Sequence, residues 1–92
     1  MVKKVYKISA TWCGPCRVYS KTFNEVKNED KYKDIIFEEL DIEENEEIAI
    51  KYGVRAVPTT IILDDNDKAL SLFSGNVPKS FLENKIDELK ND

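Results

Sequence analysis

Trp12-Cys13-Gly14-Pro15-Cys16, preceded by Val2-Lys3-Lys4-Val5-Tyr6-Lys7-Ile8 and followed by Arg17 to Val26, governs the reading of the whole chain. Val2 to Ile8 alternates β-branched and aromatic residues with lysines, which predicts a strand. From Pro15 the period changes. Cys16, Tyr19, Phe23 and Val26 recur at steps of three, four and three, the apolar stripe of an amphipathic helix. The cysteines therefore fall where a strand hands over to a helix. Cys13 is placed at the helix start, its sulfur beside unpaired N–H groups and the positive end of the dipole. Those groups favour thiolate over thiol, lowering the pKa from its usual ~8.5 toward neutrality. Cys13 is thus the candidate nucleophile. Cys16, one turn inward, is positioned to resolve a mixed disulfide, and Gly14 and Pro15 keep the link tight. On spacing alone, a chance Cys pair or half of a metal site shared between chains remains the plainer alternative.

Outward from this junction, the polar stretch Asn28 to Lys33 ends the helix and Ile35 to Ile42 predicts a second strand. Asn45 is a candidate N-cap for a short helix over Glu46 to Tyr52, which Gly53 stops. Thr59-Thr60-Ile61-Ile62-Leu63 is strongly β-prone, Asp64 to Asp67 is a turn, and Lys68 to Phe73 returns as the second strand of a hairpin. After Gly75 and Asn76 comes a final helix, with Pro78 near its first turn and Phe81, Leu82, Ile86 and Leu89 facing inward. The order is β-α-β-α-β-β-α. The first two strands, joined by a helical crossover, should run parallel, and the last two antiparallel. This is an α/β domain.

Composition bounds what such a domain can do. With 92 residues the chain is expected to form one domain, residues 1–92. Hydrophobic residues make up 41% and charged residues 35%, with a net charge of −4, a poor basis for binding nucleic acid or anionic lipid. There is no histidine, which removes Ser-His-Asp and Cys-His nucleophile systems and HExxH zinc sites. Two cysteines are half the ligand set of a structural zinc, and one bridge across a two-residue gap closes almost no loop. The N-terminus lacks the apolar stretch of a secretory leader, and no apolar run nears the ~20 residues that span a bilayer. A reducing cytoplasm is the expected compartment. Charge is uneven: Glu38 to Ile50 carries seven acids and no base, either a solvated face or a surface that selects partners.

The string Trp12-Cys13-Gly14-Pro15-Cys16 resembles the active site of the thioredoxin family, and the similarity continues. Asp41-Ile42-Glu43-Glu44-Asn45, then Ile48 through Val54 to Arg55-Ala56-Val57-Pro58-Thr59, looks like the family's middle segment, and Gly75 falls where the family has its later glycine. The resemblance covers about residues 5–90. It implies a minimal thioredoxin fold, a four-stranded mixed sheet with helices on both faces. It also implies a cis Val57–Pro58 bond, with Pro58 packed against the Cys pair and the Val57 backbone free to pair with an incoming peptide. An ordinary trans proline at a strand start is the alternative. Trp12, Gly14, Pro15, Val57, Pro58, Gly75 and Asn76 would line the groove that receives substrate, although Trp12 alone also reads as a core aromatic.

Two departures stand out. Only twelve residues precede Cys13, fewer than the family usually carries, so its first strand and helix are expected to be absent, leaving the smaller core that glutaredoxins use. The family also usually places a buried Asp six residues before the first Cys, with a Lys partner on the next strand; here those positions are Lys7 and Glu39. The pair looks charge-reversed. Either the two form a partly buried pair that relays the Cys16 proton, or both face solvent and the proton passes directly to water.

The expected function is reduction of protein disulfides through a reversible Cys13–Cys16 dithiol/disulfide. No metal or organic cofactor is expected in the chain. The resemblance implies electrons from a thioredoxin reductase, so NADPH enters only indirectly. Disulfide-containing proteins are the expected substrates, with neither nucleic acid nor membrane as partner, and the chain is expected to be a monomer. The alternatives are a glutaredoxin-like, glutathione-coupled oxidoreductase, with Arg17 and Arg55 as candidate carboxylate contacts, and a non-catalytic binding module.

Overall fold

Successive strand residues point to opposite faces of a sheet, and in the computed structural model, which describes residues 1–90, that alternation sorts the core into two layers. The elements are β1 (Val2–Ser9), α1 (Gly14–Lys27), β2 (Ile36–Asp41), α2 (Glu46–Lys51), β3 (Thr59–Asp64), β4 (Ala69–Ser74) and α3 (Lys79–Lys90). The strands form one sheet in the order β2-β1-β3-β4. β1 runs parallel to β2, while β3 is antiparallel to both β1 and β4. On one face Val5, Phe37 and Ile62 meet Tyr19, Phe23 and Val26 of α1 and Leu82 and Ile86 of α3. On the other, Ile8, Ile61 and Leu63 meet Ile48 of α2 and the loop residues Tyr52, Val54 and Val57. The right-handed β1-α1-β2 crossover of an α/β fold brings the C-terminal end of β1 under the start of α1. That is where the cysteines lie.

The structure corrects three details. The stretch Asn28 to Lys33 is not simply polar punctuation: Asp30–Tyr32 forms a 3₁₀ turn that buries Tyr32. The Tyr32 hydroxyl donates to Asp87 Oδ1 at 2.8 Å, tying the end of α1 to α3. Asn45 does not cap α2 with its side chain, because its Nδ2 donates to the Asp41 carbonyl at 2.9 Å instead. Phe81 is part-exposed and packs edge-on against Phe73, ring centroids 5.1 Å apart, flanking the core instead of entering it.

Where α3 passes the end of α1, two acids meet. Glu29 Oε2 is buried, the Lys79 ammonium lying 4.0 Å away. Hydrogen bonding to Glu29, then partial burial and the Glu29 charge, push the Glu83 carboxyl above the usual carboxylate range. A raised carboxyl pKa means that the folded state holds its proton more tightly than the unfolded state, so stability falls as pH rises through that range. Replacing Glu83 with Gln is therefore expected to raise Tm at pH 7, and to have a smaller effect at pH 4. Thermal melts at both pH values check this.

Candidate functional site

The site is built on the turn between β1 and α1. Cys13 N–H donates to the Ala10 carbonyl at 3.2 Å, closing the turn that carries Thr11 and Trp12 outward. Cys13 then occupies the N-cap of α1 with extended backbone, and its Sγ accepts the Cys16 N–H at 3.2 Å. A sulfur thus takes the place of the usual Ser or Asp oxygen, and one of the free amide donors at the helix start points at it. Cys13 and Cys16 are joined by a disulfide, their Cα atoms 5.3 Å apart. Within the covered site, Ala10, Ile42 and Val57 pack around the two sulfurs. Sequence places Ile42 in the family-like segment without giving it a role at the site.

Cys13 is 5% exposed and Cys16 2%, whereas Trp12 is 68% exposed. Trp12 is therefore not a core residue. With exposed Gly14 and Pro15 it forms a rim outside the disulfide.

The opposite wall is the loop before β3. The Val57–Pro58 peptide bond is cis, Pro58 is buried, and the Val57 carbonyl oxygen lies 3.9 Å from Cys13 Sγ. Two hydrogen bonds hold this loop. Thr59 Oγ1 donates to the Ala56 carbonyl at 2.6 Å, and Gly75 N–H donates to the Pro58 carbonyl at 2.8 Å. Thr59 is a positioning residue that the sequence reading quoted without giving it a role. Gly75 comes from the far end of β4 with φ of +101°, and Asn76 stands exposed beside it. Trp12, Cys13, Cys16, Val57, Pro58 and Gly75 are thus gathered at one end of the sheet.

Beneath α1 runs a polar row. Lys7 is in register with Glu39 of β2 on one side and Thr60 of β3 on the other. Lys7 Nζ lies 3.2 Å from Glu39 Oε2; the Lys7 side chain is 1% exposed and that of Glu39 39%. The two do not both face solvent. Lys7 is sealed in and Glu39 forms the solvent edge. Ser20 Oγ of α1 donates to the Cys16 carbonyl at 3.0 Å and lies 3.4 Å from Glu39 Oε2, linking the pair to the helix turn of Cys16. The Tyr19 hydroxyl shares a 2.6 Å hydrogen bond with Thr60 Oγ1, and burial pushes its phenol up to about 12. Sequence flagged Lys7 and Glu39; Ser20, Tyr19 and Thr60 join them only through the packing of α1 on the sheet.

Arg17 Nη2 donates to the Thr11 carbonyl at 3.1 Å, and Arg17 and Arg55 are both exposed. Among the described residues no group of three or more His, Cys, Asp or Glu side chains is arranged to hold a metal ion, and no helix is long and apolar enough to cross a membrane.

Open space surrounds the position of a Cβ on Gly75, so the φ of +101° alone decides what a substitution there does. Gly75→Ala is expected to cost about 1–3 kcal/mol through backbone strain. A urea titration followed by fluorescence of Trp12, the single tryptophan, measures it.

The thioredoxin family model matches residues 2–88. A thioredoxin of Aspergillus fumigatus is 39% identical over 70 residues, 76% of this chain and 64% of its own length. A thioredoxin of Oryza sativa subsp. japonica is 39% identical over 85 residues, 92% of this chain and 60% of its own. The chain therefore spans less than two thirds of the length of these two relatives. The thioredoxin of Bacillus subtilis is 35% identical over 81 residues, covering 86% and 74% of the two chains. The crystal structure of a Malassezia sympodialis thioredoxin superposes with a TM-score of 0.84 at 29% identity, over 92% of this chain and 72% of its own.

Proposed function

The chain belongs to the thioredoxin family, and from that premise we propose that it is a thiol–disulfide oxidoreductase that reduces disulfide bonds in proteins. One observation carries the reading. The Cys13 sulfur caps α1, bonded to Cys16 and walled by Ile42 and by Val57 of the cis-proline loop, behind a rim of exposed Trp12. An amide donor and the positive helix end stabilise negative charge on that sulfur, as a nucleophilic or leaving thiolate requires.

In the reduced protein the Cys13 thiolate attacks one sulfur of a substrate disulfide. The substrate S–S bond breaks, a Cys13–substrate mixed disulfide forms, and the departing substrate thiolate takes a proton. Cys16 then loses its proton and attacks Cys13 Sγ. The mixed disulfide breaks, the second substrate thiol leaves, and the Cys13–Cys16 disulfide remains. Two electrons have passed from the protein to the substrate. Trp12, Gly14, Pro15, Val57, Pro58, Gly75 and Asn76 serve as the surface against which the substrate chain lies.

Electrons return from a thioredoxin reductase, the usual partner of this family, which supplies two electrons drawn from NADPH. This chain needs no cofactor of its own, because its two sulfurs carry them. One copy of the chain holds both sulfurs, so a monomer in a reducing cytoplasm suffices. Glutathione coupling has no comparable support: Arg17 turns one donor to the Thr11 carbonyl, and Arg17 and Arg55 are both exposed away from the residues packed on the sulfurs.

Cys13→Ser is expected to lower the dithiothreitol-driven reduction of a disulfide-bonded test protein to the uncatalysed background. Cys16→Ser is expected instead to accumulate a mixed disulfide with that protein, visible by mass spectrometry under non-reducing conditions. Full activity in the double variant would sink the oxidoreductase reading and leave a binding module.

A further inference from the structure

Among the described residues, Lys7 is the charged side chain that the fold buries, 1% exposed on the α1 face of the inner strand β1. Burying an ammonium is costly unless it is paired, and its partner is a single carboxylate. That pairing is lopsided. Glu39 is 39% exposed, so water screens its charge, while nothing screens the ammonium. The remaining groups that face this row are Cys16, Tyr19 and Ser20 from α1 and Thr60 from β3. None of them offsets the ammonium at neutral pH, because Tyr19 keeps its proton up to about 12. The layer below α1 therefore holds its positive charge deeper than its negative one, on the side from which Ser20 reaches the Cys16 carbonyl.

An ion-paired ammonium has three donors and no free lone pair. What it supplies is charge. We propose that the buried Lys7 ammonium poises the Cys13–Cys16 couple, stabilising the reduced, thiolate-bearing form over the disulfide and so making this protein a weaker reductant than the same site without the charge. The proposal rests on the oxidoreductase reading above and deepens it. In the disulfide both sulfurs are neutral and the ammonium gains little from them. When the pair takes up two electrons and one sulfur stays unprotonated, a negative charge appears that the ammonium attracts. A stabilised reduced form shifts the couple toward oxidation of its partners. Lys7 acts through its field alone and touches no reacting atom.

The test is the equilibrium with glutathione, in which the protein disulfide plus two glutathione thiols give the protein dithiol plus glutathione disulfide, followed by Trp12 fluorescence. At pH 8, Lys7→Met is expected to lower the equilibrium constant about tenfold, equivalent to about 30 mV for a two-electron couple. At pH 5, where less of the reduced pair is thiolate, the difference is expected to be smaller. Lys7→Arg, which keeps the charge, is expected to stay near the parent value. Lys7→Gln removes the charge but keeps a hydrogen bond to Glu39, and is expected to repeat the Lys7→Met result should the methionine variant not fold. A purely structural role would move stability in these variants without a pH-dependent shift in the exchange constant. An unchanged constant at pH 8, a shift of equal size at pH 5, or an arginine variant displaced as far as the methionine one overturns the proposal. If the parent protein exchanges with glutathione and the charge-removing variants match it, only the role of Lys7 falls; if the parent does not exchange at all, the oxidoreductase reading falls with it.

Discussion

A helix start leaves backbone amides without partners, and here the atom that answers one of them is a sulfur. Cys13 Sγ receives the Cys16 N–H, which fixes the first turn of α1, and the same atom is half of the disulfide. Local structure and chemistry therefore share one interaction. The Ala10 carbonyl anchors the turn from the strand side, and Ile42 and Val57 close over the sulfurs from β2 and the Pro58 loop. A change that moves the start of α1 moves the reacting atom with it.

The loop before β3 depends on this arrangement and also protects it. Its position is set from two directions, by Thr59 within the loop and by Gly75 from the end of the hairpin. β3 is buried along almost its whole length, so the loop is mounted on the most rigid strand of the sheet. Outside it, Trp12 projects from a turn pinned by a backbone hydrogen bond. The sulfurs thus have shielded flanks and one exposed aromatic neighbour.

Charge is distributed in two distinct ways. On the surface, the acids of residues 43–47 crowd the start of α2, where the positive helix end favours them, and this is adequately explained as a solvated face. Inside, Lys7 and Glu39 form a buried-to-exposed pair whose positive member lies deeper. The first arrangement costs little in water. The second is expensive by comparison, because an ammonium in the core must be held by geometry as well as by charge. Ser20, Tyr19 and Thr60 complete that geometry with hydroxyls, leaving the polar groups under α1 partnered without adding a second charge.

Much of this was legible in the residues themselves. Alternation in Val2 to Ile8 and the three-four spacing of Cys16, Tyr19, Phe23 and Val26 depend on local periodicity, which sequence states directly. For that reason the order of elements, the crossover, the hairpin and the placement of Cys13 at a helix start could all be read before any coordinates. Tyr32, Asn45 and Phe81 were misread because their positions are decided by what lies across space: an acid on α3, a carbonyl at the end of β2, and a ring on β4. Sequence also set a lysine opposite a glutamate, but it left open whether the two formed a partly buried pair or both faced water. Only the packing of α1 onto the sheet decided that Lys7 is sealed and Glu39 is not, and only the meeting of β1, β3 and the end of β4 brought Pro58 and Gly75 to the sulfurs. Burial is a property of neighbours far along the chain, and no local pattern encodes it.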